Sequence, residues 1–363
     1  MNRMIYVKTT ETCQLNCKHC FTNGINGAKI YFNPEKTADW VKRLHEVAYR
    51  PNDTIHYEFH GGEPFLAPIS HMTKFYEETK ELWPQTSFGI TSNFVLKLTD
   101  EHWKFIKGPL NNRVGTSWDP KIRFENPKQE VLWKNNVKAL IDAGVTVKLF
   151  ISVTKDTLDI EPIKLLRWVK ALGVQEMALE RLTGNGNALL HPEIFPRNVD
   201  QDAWFLKMHQ QSEEHGARDW FENEFLETIY DKFEKNFNKG GTFCRDCEEK
   251  LYTINADGTL SGCPNAAPEE QFGHINQDIK TLINSPKRIK NIACERARDP
   301  RCFECPVFAF CGGDCHQLEW QGDICGAPKS LMKFLKAEKH GDNRWYNKKQ
   351  YCRQIWRFGN RCC

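Results

Sequence analysis

The sequence predicts an α/β fold, a partial (β/α)6 TIM-like barrel followed by a small Cys-rich domain at the C-terminus. Strand-like and helix-like segments alternate about six times between residues 4 and 216, which favours a parallel sheet covered by helices. The 15 cysteines are clustered, since three lie before residue 21, none lies between 21 and 243, and twelve follow. A chain of 363 residues suits one large domain with an appendage.

Six strands are predicted in the first region, where short runs are rich in β-branched and aromatic residues. They cover residues 5–8, 54–60, 87–91, 113–118, 145–153 and 174–182. Helices are predicted between them from Pro34 onward and near 70–82, 99–107, 127–143 and 161–172. Pro34 suits the first position of a helix, and Gly144 and Gly173 suit helix ends. In such barrels the chemistry lies on loops after the carboxyl ends of the strands.

The sequence divides into four predicted parts. Residues 1–216 form the barrel, 217–243 a helical connector, 244–330 the Cys-rich domain and 331–363 a basic aromatic tail. The Cys-rich part has too few apolar residues for a hydrophobic core of its own, so bound metal is expected to stabilise it. In the tail, nine Lys or Arg residues stand against two acidic ones between Lys333 and Arg361, a net charge of +7. Basic residues interleaved with aromatic ones suit a nucleic-acid backbone and stacked bases, or simply a solvated helical surface.

The composition excludes several classes of protein. A hydrophobic fraction of 40% and a charged fraction of 27% are those of a globular chain rather than a disordered one. We see no signal-peptide core and no apolar run long enough to span a membrane, so a cytoplasmic location without membrane contact is expected. Disulfides are disfavoured in that compartment, and the cysteines are therefore expected to bind metal or act in redox chemistry.

The first cysteine group consists of Cys13, Cys17 and Cys20 on one short loop after the first strand. Three thiolates can bind three irons of a four-iron cluster and leave the fourth iron open to a substrate or cosubstrate. The alternative is a zinc site, which would need a fourth ligand such as His19 or His60.

A second motif, His60-Gly61-Gly62-Glu63-Pro64, follows the second strand. Together with Cys-x3-Cys-x2-Cys, it makes the chain resemble the radical S-adenosylmethionine (AdoMet) superfamily. The resemblance implies a [4Fe–4S] cluster that binds AdoMet, and a loop after the second strand that hydrogen-bonds the AdoMet amino group. The residues expected to contact AdoMet are Gly61, Gly62, Glu63, Pro64, Ser92, Asn93, Ser117, Asp119 and Arg181. Glu180, beside Arg181, is expected to face the adenosine or the substrate.

The resemblance also implies the activity. An electron from the reduced cluster, delivered by a donor such as flavodoxin or ferredoxin, would cleave AdoMet to methionine and a 5′-deoxyadenosyl radical. That radical would abstract hydrogen from the substrate, in a reaction of oxidoreductase or isomerase type. No catalytic acid or base is predicted.

The second cysteine group resembles the SPASM extension of radical AdoMet enzymes, which carries two auxiliary [4Fe–4S] clusters. The resemblance implies interleaved ligands. One cluster would be held by Cys244, Cys247, Cys263 and Cys315, and the other by Cys302, Cys305, Cys311 and Cys325. Two structural zinc sites are the alternative. Four cysteines have no predicted role, namely Cys294, Cys352, Cys362 and Cys363.

The substrate stays open at this point. Relatives with this extension mostly modify amino-acid residues in peptides or proteins, which favours such a substrate. Sulfatase-maturing enzymes have an Asp that serves as the base directly after the cysteine that matches Cys263. This chain has Pro264 at that position, which argues against formylglycine formation. The tail favours an amino-acid-modified thymine base in the DNA of a bacterial virus as the second hypothesis. A small molecule and a non-catalytic iron–sulfur carrier or sensor remain alternatives.

Overall fold

The computed structural model describes residues 2–22, 24–48, 50, 52–235 and 246–341. The strands in these ranges are β1 Asn2–Thr10, β2 Thr54–Gly61, β3 Thr86–Ile90, β4 Arg113–Ser117, β5 Thr146–Val153, β6 Glu176–Arg181, β7 Glu222–Asn223, β8 Leu251–Ile254, β9 Thr259–Ser261 and β10 Gly273–His274. The α-helices are α1 Pro34–Ala48, α2 Ile69–Thr79, α3 Asp100–Lys107, α4 Pro127–Asp142, α5 Lys155–Leu158, α6 Pro162–Leu172, α7 Asn198–Glu214, α8 Glu224–Lys235, α9 Cys247–Lys250, α10 Ile279–Ile283, α11 Pro286–Arg296, α12 Pro300–Phe303, α13 Phe308–Cys311 and α14 Lys329–Gly341.

The six predicted strands form the parallel wall of the barrel. β1, β2 and β3 pair in parallel, as do β4, β5, β6 and β7. A parallel bridge between Thr91 and Gly115 joins the two groups. The predicted helix signals also hold, because α1 begins at Pro34 and Gly173 ends α6 in the left-handed conformation, with φ of +84°.

Side chains alternate between the two faces of each strand. On β2, Tyr57 and Phe59 are fully buried and pack their rings against Phe75 of α2. The residues between them must therefore face the barrel lumen. The same argument places Tyr6 and Lys8 of β1 on the lumen side. The lumen is polar, whereas the space between strands and helices holds the apolar core.

The Cys-rich region is joined to the barrel sheet, which the sequence did not predict. β8 pairs in parallel with β1, so that Tyr6 lies beside Thr253, and β9 returns antiparallel to β8. Tyr252 packs its ring 5.5 Å from that of Trp40 on α1. The physical reason is the shortage of apolar residues noted above, because this region buries its few large side chains in the core of the barrel.

Helix α7 was also missed. Its buried positions include Asn198, Gln201, His209 and Ser212 as well as apolar residues, so no apolar stripe marks the helix in the sequence. None of the helices within the described ranges is long and apolar enough to cross a membrane.

Candidate active site

The two sequence motifs meet at the carboxyl ends of β1 and β2. The backbone N–H of Gly62 donates to the carbonyl oxygen of Thr10, and that of Glu63 donates to Thr12, both at 2.9 Å. A Cβ on Gly62 would lie 2.0 Å from the Thr12 carbonyl oxygen. Glycine is therefore required here because the loop after β2 lies directly against the start of the cysteine loop.

Replacing Gly62 by Ala is expected to lower the free energy of unfolding by about 1–3 kcal/mol, the usual cost of overpacking. Gly184→Ala is the matched control, since its Cβ would meet nothing closer than 3.6 Å. Urea unfolding of both variants measures the difference. Equal stability of the two variants would contradict the close approach described here.

Glu63 holds the loop after β3 in place. Its carboxylate is fully buried and accepts hydrogen bonds from the backbone N–H of Phe65 at 3.0 Å, the hydroxyl of Ser92 at 2.8 Å and the backbone N–H of Asn93 at 2.7 Å. Burial raises the pKa of Glu63 to about 7, against the opposing effect of these donors. From the sequence, Glu63 was expected to contact AdoMet. In the structure its carboxylate binds Ser92 and Asn93 and so fixes the loop after β3.

Asn93 connects this anchor to the cysteine loop. Its amide Nδ2 donates to the sulfur of Cys13 at 3.5 Å, and its Oδ1 accepts from the side chain of Gln14 at 2.9 Å. The backbone N–H of Leu15 also donates to the Cys13 sulfur, at 3.3 Å. Donors directed at a sulfur favour the thiolate form that binds iron.

The three cysteines of the loop are close together, with Cys17 buried and Cys13 and Cys20 partly exposed. The backbone N–H of Cys20 donates to the carbonyl oxygen of Cys17 in a turn. Burial raises the pKa of Cys13 to about 11 and that of Cys17 to about 12, so iron must displace a proton from each. Cys13, Cys17 and Cys20 are free thiols. Their donor set of three soft sulfurs fits an iron–sulfur cluster.

Within the described ranges, no three Cys, His, Asp or Glu side chains converge as they would around a single metal ion. A four-iron cluster binds each thiolate at a different iron, so its ligands do not meet at one point. His19 and His60, the alternative fourth ligands of a zinc site, have other partners. His19 contacts Asp119, and the ring of His60 lies between those of Tyr6 and Phe21.

A buried ionic network of His19, Asp119 and Arg123 contacts the cysteine loop. Arg123 was not predicted from the sequence. Arg123 Nε lies 2.6 Å from Asp119 Oδ2, and His19 Nε2 lies 3.2 Å from the same oxygen. Burial alone would raise the pKa of Asp119, but the Arg123 guanidinium and His19 hold it well below the usual range. The Cys17 thiol donates to the carbonyl oxygen of Arg123 at 3.6 Å. Asp119 is thus engaged with the cysteine loop. No pattern in the sequence marks its pairing with Arg123, because both residues lie in the loop between β4 and α4.

Of the other expected AdoMet contacts, Ser117 ends β4 on the same rim. Arg181 is directed elsewhere. Its guanidinium is almost fully buried, forms a two-pronged ion pair with Asp314, with Nη2 2.8 Å from Oδ1, and donates to the carbonyl oxygen of Gly326 at 3.2 Å. The observed role of Arg181 is to tie β6 to the Cys-rich region.

Two buried carboxylates position the first ligands of the second cysteine group. Glu295 accepts from the backbone N–H of Cys247 at 2.8 Å, and Glu248 accepts from that of Cys263 at 3.1 Å. Asp314 likewise accepts from the backbone N–H of Cys315, at 2.7 Å.

Some cysteines of the predicted interleaved sets lie near one another, and the sets themselves stay a prediction. The charge of Cys315 acts on the thiol of Cys263, and that of Cys325 acts on Cys311. Cys305 in turn acts on Cys325. The remaining predicted ligand of this group is Cys302, which is buried in α12. Cys244 lies outside the described residues, as do Cys352, Cys362, Cys363 and the tail beyond 341.

Comparison with known proteins shows which proteins this chain resembles. No family model matches the chain. Radical SAM cyclopropyl synthase TigE of Paramaledivibacter caminithermalis is 22% identical over 337 residues, which cover 86% of this chain and 67% of TigE. This match bears out the predicted resemblance to radical AdoMet enzymes. The fold is that of anSMEcpe, whose structure with AdoMet and the Cp18Cys peptide matches with a TM-score of 0.75, 16% identity and coverage of 93% of this chain and 96% of that one.

Streptococcus suis SuiB bound to its precursor peptide SuiA also matches, with a TM-score of 0.60, 12% identity and coverage of 87% of this chain and 72% of SuiB. The predicted partial barrel with a SPASM-type C-terminal part is therefore confirmed. TigE is a radical SAM enzyme by name and anSMEcpe was solved with bound AdoMet, which supports the predicted cofactors, namely a [4Fe–4S] cluster that binds AdoMet and two auxiliary clusters. Which residues hold each of them stays a prediction.

Proposed function

We propose that this radical AdoMet enzyme abstracts a hydrogen atom from an amino-acid-like group of a macromolecule, with a peptide or protein side chain as the first candidate. The observation that carries the proposal is the polar lumen of the barrel, where Lys8 lies near both Cys20 of the cysteine loop and Cys263 of the Cys-rich region. TigE is a cyclopropyl synthase by name, and the structures of anSMEcpe and SuiB contain bound peptides. These neighbours support a peptide as the substrate.

In this proposal Cys13, Cys17 and Cys20 hold the cluster that binds AdoMet. When bound, the cluster supplies one electron, taken from reduced flavodoxin or ferredoxin, that cleaves AdoMet into methionine and a 5′-deoxyadenosyl radical. The loop of Gly61 to Pro64 brings the backbone of β2 to the cosubstrate. Glu63 holds Ser92 and Asn93 at the rim where Ser117 and Asp119 also lie, and the wall of the barrel shields the reacting carbon from water.

The eleven predicted cysteine ligands are retained in the proposal, with Cys244 outside the described residues. The auxiliary clusters would be held by Cys244, Cys247, Cys263 and Cys315, and by Cys302, Cys305, Cys311 and Cys325. The proximities of Cys263 to Cys315 and of Cys311 to Cys325 support this assignment. Pro264 occupies the position of the base in sulfatase-maturing enzymes, so the reaction proposed here is not formylglycine formation.

Deuterium transfer tests the substrate class. Reconstituted enzyme is incubated anaerobically with dithionite, AdoMet and a perdeuterated peptide digest, and 5′-deoxyadenosine is examined by mass spectrometry. The proposal expects deuterium in 5′-deoxyadenosine. The competing DNA hypothesis expects no transfer from peptides, together with a gel shift of duplex DNA that is lost when residues 333–363 are deleted.

A further inference from the structure

The charged side chains on the lumen face of the barrel are paired, with three exceptions among the described residues. The pairs are His56 with Glu58, Lys148 with Glu224 and Arg113 with Glu176. One exception is Glu222 on the short strand β7, which is exposed. The other two are Lys8 on β1 and Glu180 on β6, which form no hydrogen bond or ion pair with any described residue. An unpaired charge in such a place costs free energy, and a protein retains such a cost mainly where function requires it.

Lys8 lies in the upper lumen between the two cysteine regions. Its side chain is only 7% exposed, and its Nζ lies 6.0 Å from the ring centre of Phe21, next to Cys20. Its neighbour on β2 is His60. Burial lowers the pKa of Lys8, whereas the charges of Glu11, Cys263 and Cys20 act in the opposite direction. The ammonium of Lys8 therefore lies between Cys20 of the cysteine loop and Cys263.

Glu180 faces the lumen from β6, on the wall opposite Lys8. It is in register with Ser152 of β5, on the lumen face, while its neighbour Leu179 is buried. Its side chain is accessible to water, yet it is surrounded by many protein atoms. A side chain that lines an internal space has both of these properties. Burial and then Glu224 raise the pKa of Glu180 to about 7. Its charge reaches Tyr6 on β1, so it acts across the lumen.

We propose that Lys8 and Glu180 bind the two charges of a free amino-acid group, Lys8 its carboxylate and Glu180 its ammonium, and thereby orient it for hydrogen abstraction. The inference rests on the proposed function and narrows its substrate class to a group that carries both charges. An internal peptide residue with a neutral side chain carries neither of them. His60 adds an uncharged partner, because burial lowers its pKa to about 4 and its Nδ1 is buried without a hydrogen bond among the described residues.

The AdoMet methionine group is the other zwitterion in the site, but its expected contacts lie elsewhere. The expected contacts Glu63, Asn93 and Asp119 lie on the loops that follow β2, β3 and β4. Lys8 lies instead on β1, next to β8 and the Cys-rich region. Lys8 is also the neighbour of His60 at the end of β2, whereas Glu180 on β6 lies away from these three loops. A clamp that uses both Lys8 and Glu180 is therefore assigned to the substrate.

The test uses holoenzyme, AdoMet, dithionite and a mixture of perdeuterated free amino acids, with the same amino acids as N-acetyl amides in a parallel sample. Deuterium in 5′-deoxyadenosine is the readout. We expect transfer from the free forms and little from the blocked ones. Lys8→Met and Glu180→Gln should each lower the transfer by roughly tenfold or more. Lys36→Met, an exposed lysine on α1, should leave the transfer unchanged.

Thermal melting and iron content separate this role from a structural one. Removing an unpaired buried ammonium should leave the melting temperature of Lys8→Met equal to that of the wild type or higher. A lower melting temperature or lost iron would make Lys8 a structural counter-charge and overturn the inference, as would equal transfer from free and blocked amino acids or none from the free ones. If the wild type forms no 5′-deoxyadenosine, the proposed function itself fails.

Discussion

Cys17→Ala is expected to abolish 5′-deoxyadenosine formation. Cys17 is the most deeply buried of the three loop cysteines, and no other described cysteine outside the loop is near enough in sequence to replace it. Removing one of three thiolates leaves the cluster with two protein ligands. Iron content after reconstitution should fall by the share of one cluster, and the electron paramagnetic resonance (EPR) signal that responds to AdoMet should disappear.

The matched control is Cys294→Ala. Cys294 is exposed on α11 and has no predicted ligand role, so iron content and 5′-deoxyadenosine formation should equal those of the wild type. Activity retained by Cys17→Ala would contradict the assignment of the loop. Activity lost equally in both variants would show that the loss is not specific to the loop.

Arg123→Met is expected to lower the free energy of unfolding by about 3–5 kcal/mol, because it leaves the fully buried Asp119 carboxylate without its main countercharge. The same change should loosen the cysteine loop, since the carbonyl oxygen of residue 123 accepts from Cys17 and that of Ile122 accepts from Lys18. Chemical denaturation and the rate of iron loss to a chelator measure the two effects.

Arg197→Met provides the comparison. Arg197 pairs with Asp200 three residues away, but both side chains are largely exposed, and such pairs contribute at most about 1 kcal/mol. A similar small loss in both variants would mean that the Arg123 network does not stabilise the loop. Arg123→Met/Asp119→Leu should recover part of the lost stability, since the uncompensated charge is then absent.

The sequence predicted the part of the molecule that depends on local patterns. Alternating strands and helices identified the barrel, and two short motifs placed Cys13 and Glu63 at the ends of adjacent strands. The glycines of the second motif were expected to contact AdoMet. In the structure, their lack of a Cβ is what lets Gly62 lie against the carbonyl of Thr12.

The features that were missed depend on contacts between distant residues. Asp314 lies 133 positions from its partner Arg181, and nothing in either neighbourhood marks the pair. β8 is four residues long and pairs with β1 only because the barrel leaves that edge open. Whether a charge such as Lys8 is paired likewise depends on the whole fold, and no window of sequence shows it.

The central claim is that the loop of Cys13, Cys17 and Cys20 starts a radical reaction on AdoMet. The most direct measurement is anaerobic reconstitution with iron and sulfide, followed by dithionite and AdoMet, with 5′-deoxyadenosine and bound metals determined on the same sample. The account predicts iron in the protein and 5′-deoxyadenosine from the wild type alone. Zinc in place of iron and no 5′-deoxyadenosine would contradict it.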